Sequence, residues 1–255
     1  MWILSLINRL VKEVTKDLDG FDTASTIAKI GKFVDEFSTW YIRRSRDRVG
    51  ASAVDNRDKN AFYSTTYEVL TTLSKVIAPL APFAVEEIYK NLTGGESVHL
   101  TEWPISKETL INEDLEEEMI GARWLASTIL GMRKTAGVKV KIPFRKIIYS
   151  GPRELSKSVL EVVKAETNVY ELEFLEVKED WAGGGNLDES NQDVEAGNAR
   201  DVVRKIQEER KKIGTGLSDK VDVSLPEWPK EFEDEIKRKA LINNLSEGEF
   251  LVTKS

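Results

Sequence analysis

The stretch LSKVIAPLAPFAVEEIY, residues 73–89, determines the fold class expected for the first half of the chain. Its leucines and valines continue a helical apolar face that is interrupted by Pro79 and Pro82. Proline interrupts a helix because it lacks a backbone N–H and clashes with the preceding turn. A short helix at residues 83–92 then stops at Gly94, a typical C-terminal signal. The stretch predicts two consecutive helices joined at a proline corner.

The residues around this stretch repeat the helical period. Apolar side chains recur at three- or four-residue steps in residues 2–14, 27–41 and 62–80. The turn-prone LDGFD at 18–22 separates the first two segments. Because no run in this half alternates with period two, we predict an all-α helical bundle for residues 1–110.

The pattern changes in the second half. KVKIPFRKIIYS, residues 139–150, and VYELEFLEV, residues 169–177, are rich in the β-branched residues that favour strands. WAGGGN, residues 181–186, is the clearest loop signal in the chain. We therefore predict a multidomain protein, in which the bundle is followed by a smaller α+β domain at residues 111–255.

Within the α+β domain a short motif recurs. RKTAG at 133–137 ends one helix before a strand, and RKKIG at 210–214 does the same later. This echo predicts two weakly similar helix–strand–helix–strand units. We expect the two units to share one antiparallel sheet covered by helices.

Composition excludes several classes of protein. The 255 residues contain no cysteine, so a disulfide framework and a thiolate zinc site are excluded, and a reducing cytoplasmic location is the default expectation. Charged residues interrupt positions 1–18, which argues against a signal peptide or a membrane span. The helical pattern is already under way at Trp2 without a preceding cap, so we expect this chain to be part of a longer one.

Charge is unevenly distributed along a chain whose net charge is -7. Between residues 166 and 195 ten acids face a single lysine, and this stretch is expected to lie in water away from any polyanion. Six bases occur without an acid in one short segment: Arg133, Lys134, Lys139, Lys141, Arg145 and Lys146. Gathered in this way, cations can bind a polyanion despite the overall charge, although a solvated surface is the alternative interpretation.

A second basic segment, WYIRRSRDRV at residues 40–49, places two aromatics directly before four arginines. At 100° per residue the arginines spread over more than half of a helix circumference, which suits a helix end. We expect Trp40 and Tyr41 to lie in the bundle core. The arginines fit either phosphate contacts or the negative end of the helix dipole.

Signals for catalysis are missing. His99 is the only histidine, and it cannot form a metal cluster or a catalytic triad without partners. Neither GxGxxG nor GxxxxGK[ST] occurs. The sequence therefore favours a binding role over a free-standing enzyme.

Three motifs in order carry a family resemblance: residues 40–48, 73–89 and SVHLTEWP at 97–104. The chain resembles the tRNA anticodon-binding region of class I aminoacyl-tRNA synthetases. The RKxAG tail and ARDVVRKIQEERK at 199–211 look most like the isoleucyl enzyme of the archaeal and eukaryotic type. The matching region of a valyl or leucyl enzyme is the closest alternative.

The resemblance implies a fragment that binds the anticodon stem-loop of tRNA, specifically tRNA-Ile. The H-I-G-H and K-M-S-K-S catalytic motifs of the family are absent, so ligase chemistry, ATP and Mg would belong to the rest of the synthetase chain, with no cofactor or metal and no membrane contact here. Expected tRNA contacts are Arg43, Arg44, Arg46 and Arg48 on the backbone, and Arg133, Lys134, Lys139 and Lys141 on the loop side. A competing hypothesis is a protein-interaction module of a multi-synthetase assembly, docking a basic partner through residues 166–195.

Overall fold

The computed structural model describes four stretches of the chain, residues 1–50, 55–176, 181–184 and 189–255. It divides into two compact units, Met1–Glu117 and Glu118–Ser255. The sequence pattern had suggested a division after residue 110. The two units are described separately below.

Helices form the first unit. In chain order they are α1 (Trp2–Asp19), α2 (Thr23–Glu36) with a π-helical continuation (Phe37–Ile42), α3 (Arg46–Val49), α4 (Asn56–Ile77), α5 (Pro82–Thr93) and the start of α6 (Glu113–Thr135). The Asp22 carboxylate caps α2 by accepting from Ser25 N at 2.9 Å. Gly94, with φ 68°, ends α5 in the left-handed region that favours glycine. The predicted helical bundle and its proline corner are confirmed.

A row of aromatic rings runs through the core of this unit. Phe33 stacks on Phe37 at 6.1 Å between centroids, Phe37 on Tyr41 at 5.8 Å, and Tyr41 on Phe62 of α4 at 5.7 Å. Such offset pairs add to the burial energy of the rings. The row fixes the π-helical segment against α4. It thereby also sets the direction in which the chain enters the arginine segment, residues 40–49.

A polar face of α1 holds the chain that leads into α6. Asn8 Oδ1 accepts from Lys107 N at 2.8 Å. Arg9 Nε donates to Glu116 Oε2 at 2.5 Å, and the Ser5 hydroxyl donates to the same carboxylate. Glu116 is buried, so this charge is stable only with its partners. The interaction fixes the first turn of α6 on α1.

Glu86 links two of the sequence motifs. Its Oε2 accepts from Ser97 Oγ at 3.0 Å and from Val98 N at 2.9 Å, while Lys90 Nζ lies 2.9 Å from its Oε1. The hydrogen bond from Lys90, followed by that from Val98, lowers the pKa of Glu86 to about 2. Glu86 therefore joins α5 to the SVHLTEWP segment.

The second unit contains two small sheets. Its elements are the remainder of α6, β1 (Phe144–Gly151), α7 (Lys157–Thr167), β2 (Val169–Glu176), β3 (Ala182–Gly184), α8 (Val194–Lys212), β4 (Val221–Leu225), α9 (Glu233–Ala240), β5 (Ile242–Glu247) and β6 (Leu251–Lys254). The strand orders are β2-β1-β3 and β5-β4-β6. In each sheet the first pair is parallel and the outer short strand is antiparallel.

The expectation of one shared antiparallel sheet is wrong. Each repeat builds its own sheet, because α7 and α9 act as crossover helices that return the chain parallel to its starting strand. The predicted WAGGGN loop is also corrected in part: residues 182–184 form β3, and residues 185–186 lie outside the described chain. The prediction of two similar units is confirmed in the strand order.

The recurring arginine of RKTAG and RKKIG has the same place in both repeats. Arg133 in the last turn of α6 and Arg210 in the last turn of α8 are both buried. The glycines of the two motifs, Gly137 and Gly214, have φ 69° and 67°. The motif is thus a helix end in which the glycine allows the turn and the arginine fills the space beneath it.

Backbone carbonyls receive each of these guanidinium groups. Arg133 donates from NH1 to Ile142 O and from NH2 to Asn168 O, both at 2.8 Å, and its Cζ lies 3.9 Å from the Phe144 ring centroid. Arg210 donates from NH1 to Asp219 O at 2.7 Å. Burial, with a smaller contribution from nearby Arg200, lowers the pKa of Arg133 to about 10. Arg133 therefore connects the end of α6 to both parallel strands.

Replacement of Arg133 by alanine should destabilise the second unit by about 3 kcal/mol, because the hydrogen bonds to Ile142 O and Asn168 O are lost and a cavity opens. The free energy of unfolding from urea titration measures this. Exposed Lys134→Ala is the matched control and should change it by no more than about 0.5 kcal/mol. Equal effects of the two variants would contradict the structural role of Arg133.

The Glu86 carboxylate should also make stability depend on pH. A carboxyl whose pKa is depressed on folding stabilises the fold above its ordinary pKa of 4.5, and this contribution is lost as the pH falls towards 2. Glu86→Gln should therefore show a shallower loss of the unfolding free energy on acidification than the unsubstituted chain. Glu87→Gln, one residue along the same helix, is the control, and an identical pH dependence of both variants would refute the assignment.

Candidate nucleic-acid interface

The arginine segment lies at a helix end, as its spacing predicted. The helix that begins as α2 continues through its π-helical part to Arg44, turns at buried Ser45, and resumes as α3. Ser45 N donates to the carbonyls of Tyr41 and Ile42 at 3.2 and 3.1 Å, which closes the helix. The four arginines therefore surround a helix terminus.

The two aromatics that precede the arginines have different environments. Tyr41 packs against the core and stacks on Phe37 and Phe62. Trp40 is half-buried, and the Arg44 guanidinium lies 5.9 Å from its ring centroid. The expectation that both rings lie in the core is thus wrong for Trp40, because the π-helical turn directs it to the surface beside Arg44.

Arg43 and Arg46 are exposed to solvent. Arg43 Nε donates to Thr39 O at 2.8 Å, which anchors the side chain along the helix end. Arg46 forms no ion pair with any residue that the structure describes. Exposed guanidinium groups at a helix end offer planar donor forks that suit phosphate oxygens.

Arg48 has a structural partner. Its Nε donates to Asp58 Oδ2 at 2.6 Å, and its NH2 binds the other oxygen of the same carboxylate. This hydrogen bond raises the pKa of Arg48 and lowers the pKa of Asp58. The bidentate pair joins α3 to the first turn of α4, so the charge of Arg48 is largely compensated.

The basic segment 133–146 is less uniform than its sequence indicates. Arg133 is enclosed, as described above. Lys141 Nζ binds the Asp201 carboxylate, and Lys146 Nζ lies 2.6 Å from Glu173 Oε2 and 3.2 Å from Glu171 Oε1. The two glutamates belong to the acidic stretch 166–195, and parallel pairing of β1 and β2 places them beside Lys146. Residues 177–180 and 185–188 of that stretch lie outside the described residues.

Three cations of this segment stay accessible. Lys134, Lys139 and Arg145 are exposed, and none of them forms an ion pair with a described residue. Arg145 was not among the residues expected to contact RNA. It follows buried Phe144 on β1, but the exposed Lys146 next to it breaks the alternation along the strand, so strand periodicity gave no signal for it.

Arg57 is another candidate that sequence reasoning missed. It lies exposed in the first turn of α4, beside the Asp58 that holds Arg48. A cation at a helix N-terminus is unfavourable to the helix dipole, so the dipole gives no structural reason for it. This feature could have identified Arg57 once the start of α4 was known.

The described residues contain neither a metal-binding cluster nor a membrane span. No group of three or more His, Cys, Asp or Glu side chains is arranged to hold a metal ion in this part of the chain. No helix within it has the length and apolar content needed to cross a bilayer. The exposed arginines remain the most prominent chemical feature of the first unit.

Comparison with known proteins assigns the first part of the chain to a family. The family described as the anticodon-binding domain of tRNA ligase matches residues 1–149, which include the helical unit, all of α6 and most of β1. Among similar proteins, the isoleucine–tRNA ligase of Dehalococcoides mccartyi (strain CBDB1) is 31% identical over 276 residues, covering 97% of this chain and 27% of that protein.

Two further relatives share the same name. The isoleucine–tRNA ligase of Cutibacterium acnes is 33% identical over 235 residues, covering 89% of this chain and 19% of that protein. That of Leifsonia xyli subsp. xyli is 43% identical over 147 residues, covering 57% and 13%. The chain thus spans only 13% to 27% of the length of these three relatives. Since the family match covers more than half of its residues, the chain belongs to the family of tRNA-ligase anticodon-binding domains.

Proposed function

We propose that this chain is the anticodon-binding fragment of an isoleucine–tRNA ligase and that it binds the anticodon stem-loop of tRNA-Ile. The observation that carries the proposal is the exposed helix end formed by Arg43, Arg44 and Arg46 within the matched domain. Isoleucine–tRNA ligases that align with up to 97% of the chain support the choice of amino acid. Whether the valyl or leucyl system is served instead is decided by the tRNA that binds.

The arginine segment is suited to the RNA backbone. Arg43 and Arg46 present donors to phosphate oxygens, which position RNA without reading its sequence. The Trp40 ring and the Arg44 guanidinium form a partly exposed pair on which an unstacked base or a sugar can pack. Arg57 supplies a further cation in the same unit. Arg48 acts indirectly in this proposal, by fixing α3 through Asp58.

The second unit contributes a smaller set of cations than the sequence suggested. Lys134, Lys139 and Arg145 are the candidates for contacts on the loop side. Arg133 is enclosed by backbone carbonyls and Lys141 is held by Asp201, so neither enters the proposal as a direct contact. Each accessible lysine or arginine neutralises one phosphate at most.

The chemistry of aminoacylation belongs to other parts of the parent protein in this proposal. ATP, Mg and isoleucine would bind there, and this chain would act by positioning the tRNA. The competing hypothesis of a protein-docking acidic face loses two of its ten acids, because Glu171 and Glu173 on β2 are already engaged by Lys146.

Binding of tRNA-Ile should weaken as salt increases. Each phosphate neutralised contributes about 0.7 to 0.9 to the slope of log K against log salt concentration. The variant Arg43→Ala/Arg46→Ala should therefore reduce this slope by about 1.5, with an unchanged free energy of unfolding. Filter binding at several salt concentrations measures the slope.

A matched control has the same change in charge. Lys12→Ala/Lys107→Ala removes two exposed lysines of the first unit that pair with Glu108 and Glu68. It should leave the salt slope close to that of the unsubstituted chain. A slope that does not change in the arginine variant, or one that changes equally in both, would remove the phosphate assignment.

Trp40 should affect binding more than stability. Because the ring is half-buried, Trp40→Ala should cost about 1 to 2 kcal/mol of unfolding free energy, whereas Tyr41→Ala, which removes a stacked core ring, should cost about 3 to 5 kcal/mol. Affinity for tRNA-Ile at a temperature where both variants are folded should fall for Trp40→Ala. Unchanged affinity in that variant would exclude the ring from the RNA contact.

A further inference from the structure

An open cleft of about 590 Å³ lies in the second repeat of Glu118–Ser255. Its walls are α8, the segment that follows β4, and the turn before β6. Buried Leu225 and Trp228 and half-buried Val202 form an apolar floor, and Phe250 lies on the rim with 43% of its surface exposed. Its volume lies in the range of small-molecule sites.

The repeat gives this cleft a counterpart in the first sheet. Gly121 precedes buried Arg133 by twelve residues, and Asn198 precedes buried Arg210 by the same number. On the strands, Ile147 of β1 pairs with Leu172, the fourth residue of β2, and Val223 of β4 pairs with Leu245, the fourth residue of β5. Ile147 and Val223 therefore hold equivalent positions. Gly151 and Glu227 each lie four residues further on and are therefore equivalent as well.

In the first repeat this space is filled by Trp181. A Cβ on Gly121 would lie 2.5 Å from Trp181 Cε2, and a Cβ on Gly151 would lie 2.3 Å from Trp181 Cε3. The indole therefore lies between two glycines whose missing side chains make room for it. A bicyclic aromatic ring therefore fits this position of the first repeat.

In the second repeat both glycines are replaced by polar residues. Asn198 and Glu227 are exposed at the cleft, and none of the described side chains fills it as Trp181 fills the first. The Asn198 amide both donates and accepts, and Glu227 and Glu195 accept N–H groups. These two carboxylates form no ion pair with a described residue, whereas nearby Asp201 is held by Lys141.

We propose that this cleft receives one unstacked purine base of the bound tRNA, a proposal that rests on the function proposed above. A purine is a planar bicyclic ring like the indole that occupies the equivalent space. Phe250 offers it an exposed aromatic surface, and Asn198 and Glu227 can accept from the amino group of either purine and from N1–H of guanine. Lys205, exposed at the same cleft, is placed for the adjoining phosphate.

An aromatic side chain of a protein partner is the other ring that the cleft could hold. The exposed Lys205 and the membership of the chain in an anticodon-binding family favour RNA. Removal of a single base from the RNA weakens binding if the cleft holds that base, and leaves binding unchanged if the cleft holds a protein side chain.

The test fills the cleft. Asn198→Trp places an indole into it from an exposed position of α8, and Glu208→Trp adds the same ring to the same helix outside the cleft. Affinity is measured for an anticodon stem-loop hairpin of tRNA-Ile and for hairpins with an abasic site at each loop purine in turn. The unsubstituted chain and Glu208→Trp should lose about tenfold at one abasic position.

Asn198→Trp should bind the intact hairpin about tenfold more weakly and be insensitive to the abasic site at that position. Phe250→Ala, which removes the exposed ring without filling the cleft, should lose the same sensitivity and serves as a second variant.

Normal binding and normal abasic sensitivity in both variants would overturn the cleft assignment, while the salt slope of the Arg43 and Arg46 variant would still support tRNA binding. The peptide Lys-Lys-Trp-Lys-Lys is the probe for a protein partner. If Asn198→Trp loses affinity for this peptide but keeps its affinity for the RNA hairpin, the proposal is overturned in favour of a protein partner. Absence of any hairpin binding would end both proposals, and the salt titration would reveal that failure first.

Discussion

The second unit depends on a buried guanidinium at the end of a helix. Arg133 and Arg210 each leave water to bind backbone carbonyls of the turn that follows, and these hydrogen bonds offset the cost of burying the charge. Arg133 also reaches Asn168 O at the start of the parallel partner strand, so one side chain connects helix, turn and sheet. The crossover helices α7 and α9 then return the chain parallel to β1 and to β4.

The same arginine shows where sequence reasoning works and where it does not. Recurrence of RKTAG and RKKIG correctly predicted two related units, because a repeated motif reflects a repeated local structure. From its charge alone, Arg133 was expected to contact a ligand. Its burial could not be predicted, because it depends on carbonyls of residues such as Asn168 that are distant in sequence. A cation that recurs at a helix end beside a glycine is better interpreted first as part of the turn.

The helical unit was more predictable because its determinants are local. Periodicity and the prolines at 79 and 82 placed the helices, and the arginine spread placed a helix end at Arg44. The π-helical segment had no such local signal, and it moved Trp40 to the surface. The pairing of Arg48 with Asp58 was equally hidden, because it depends on the angle at which α4 returns to α3.

Charge segregation along a sequence is a weak guide to charge segregation in space. Parallel strands set residues of β2 beside those of β1, so Glu171 and Glu173 compensate Lys146 although they lie in a separate stretch of sequence. Under the proposed function, RNA binding depends on the few cations that the fold leaves uncompensated, such as Arg46 and Lys139. Because phosphate contacts are individually weak and do not read sequence, selectivity must come from sites that hold bases. The cleft of the second repeat, which none of the described side chains fills, is proposed above as a site of that kind.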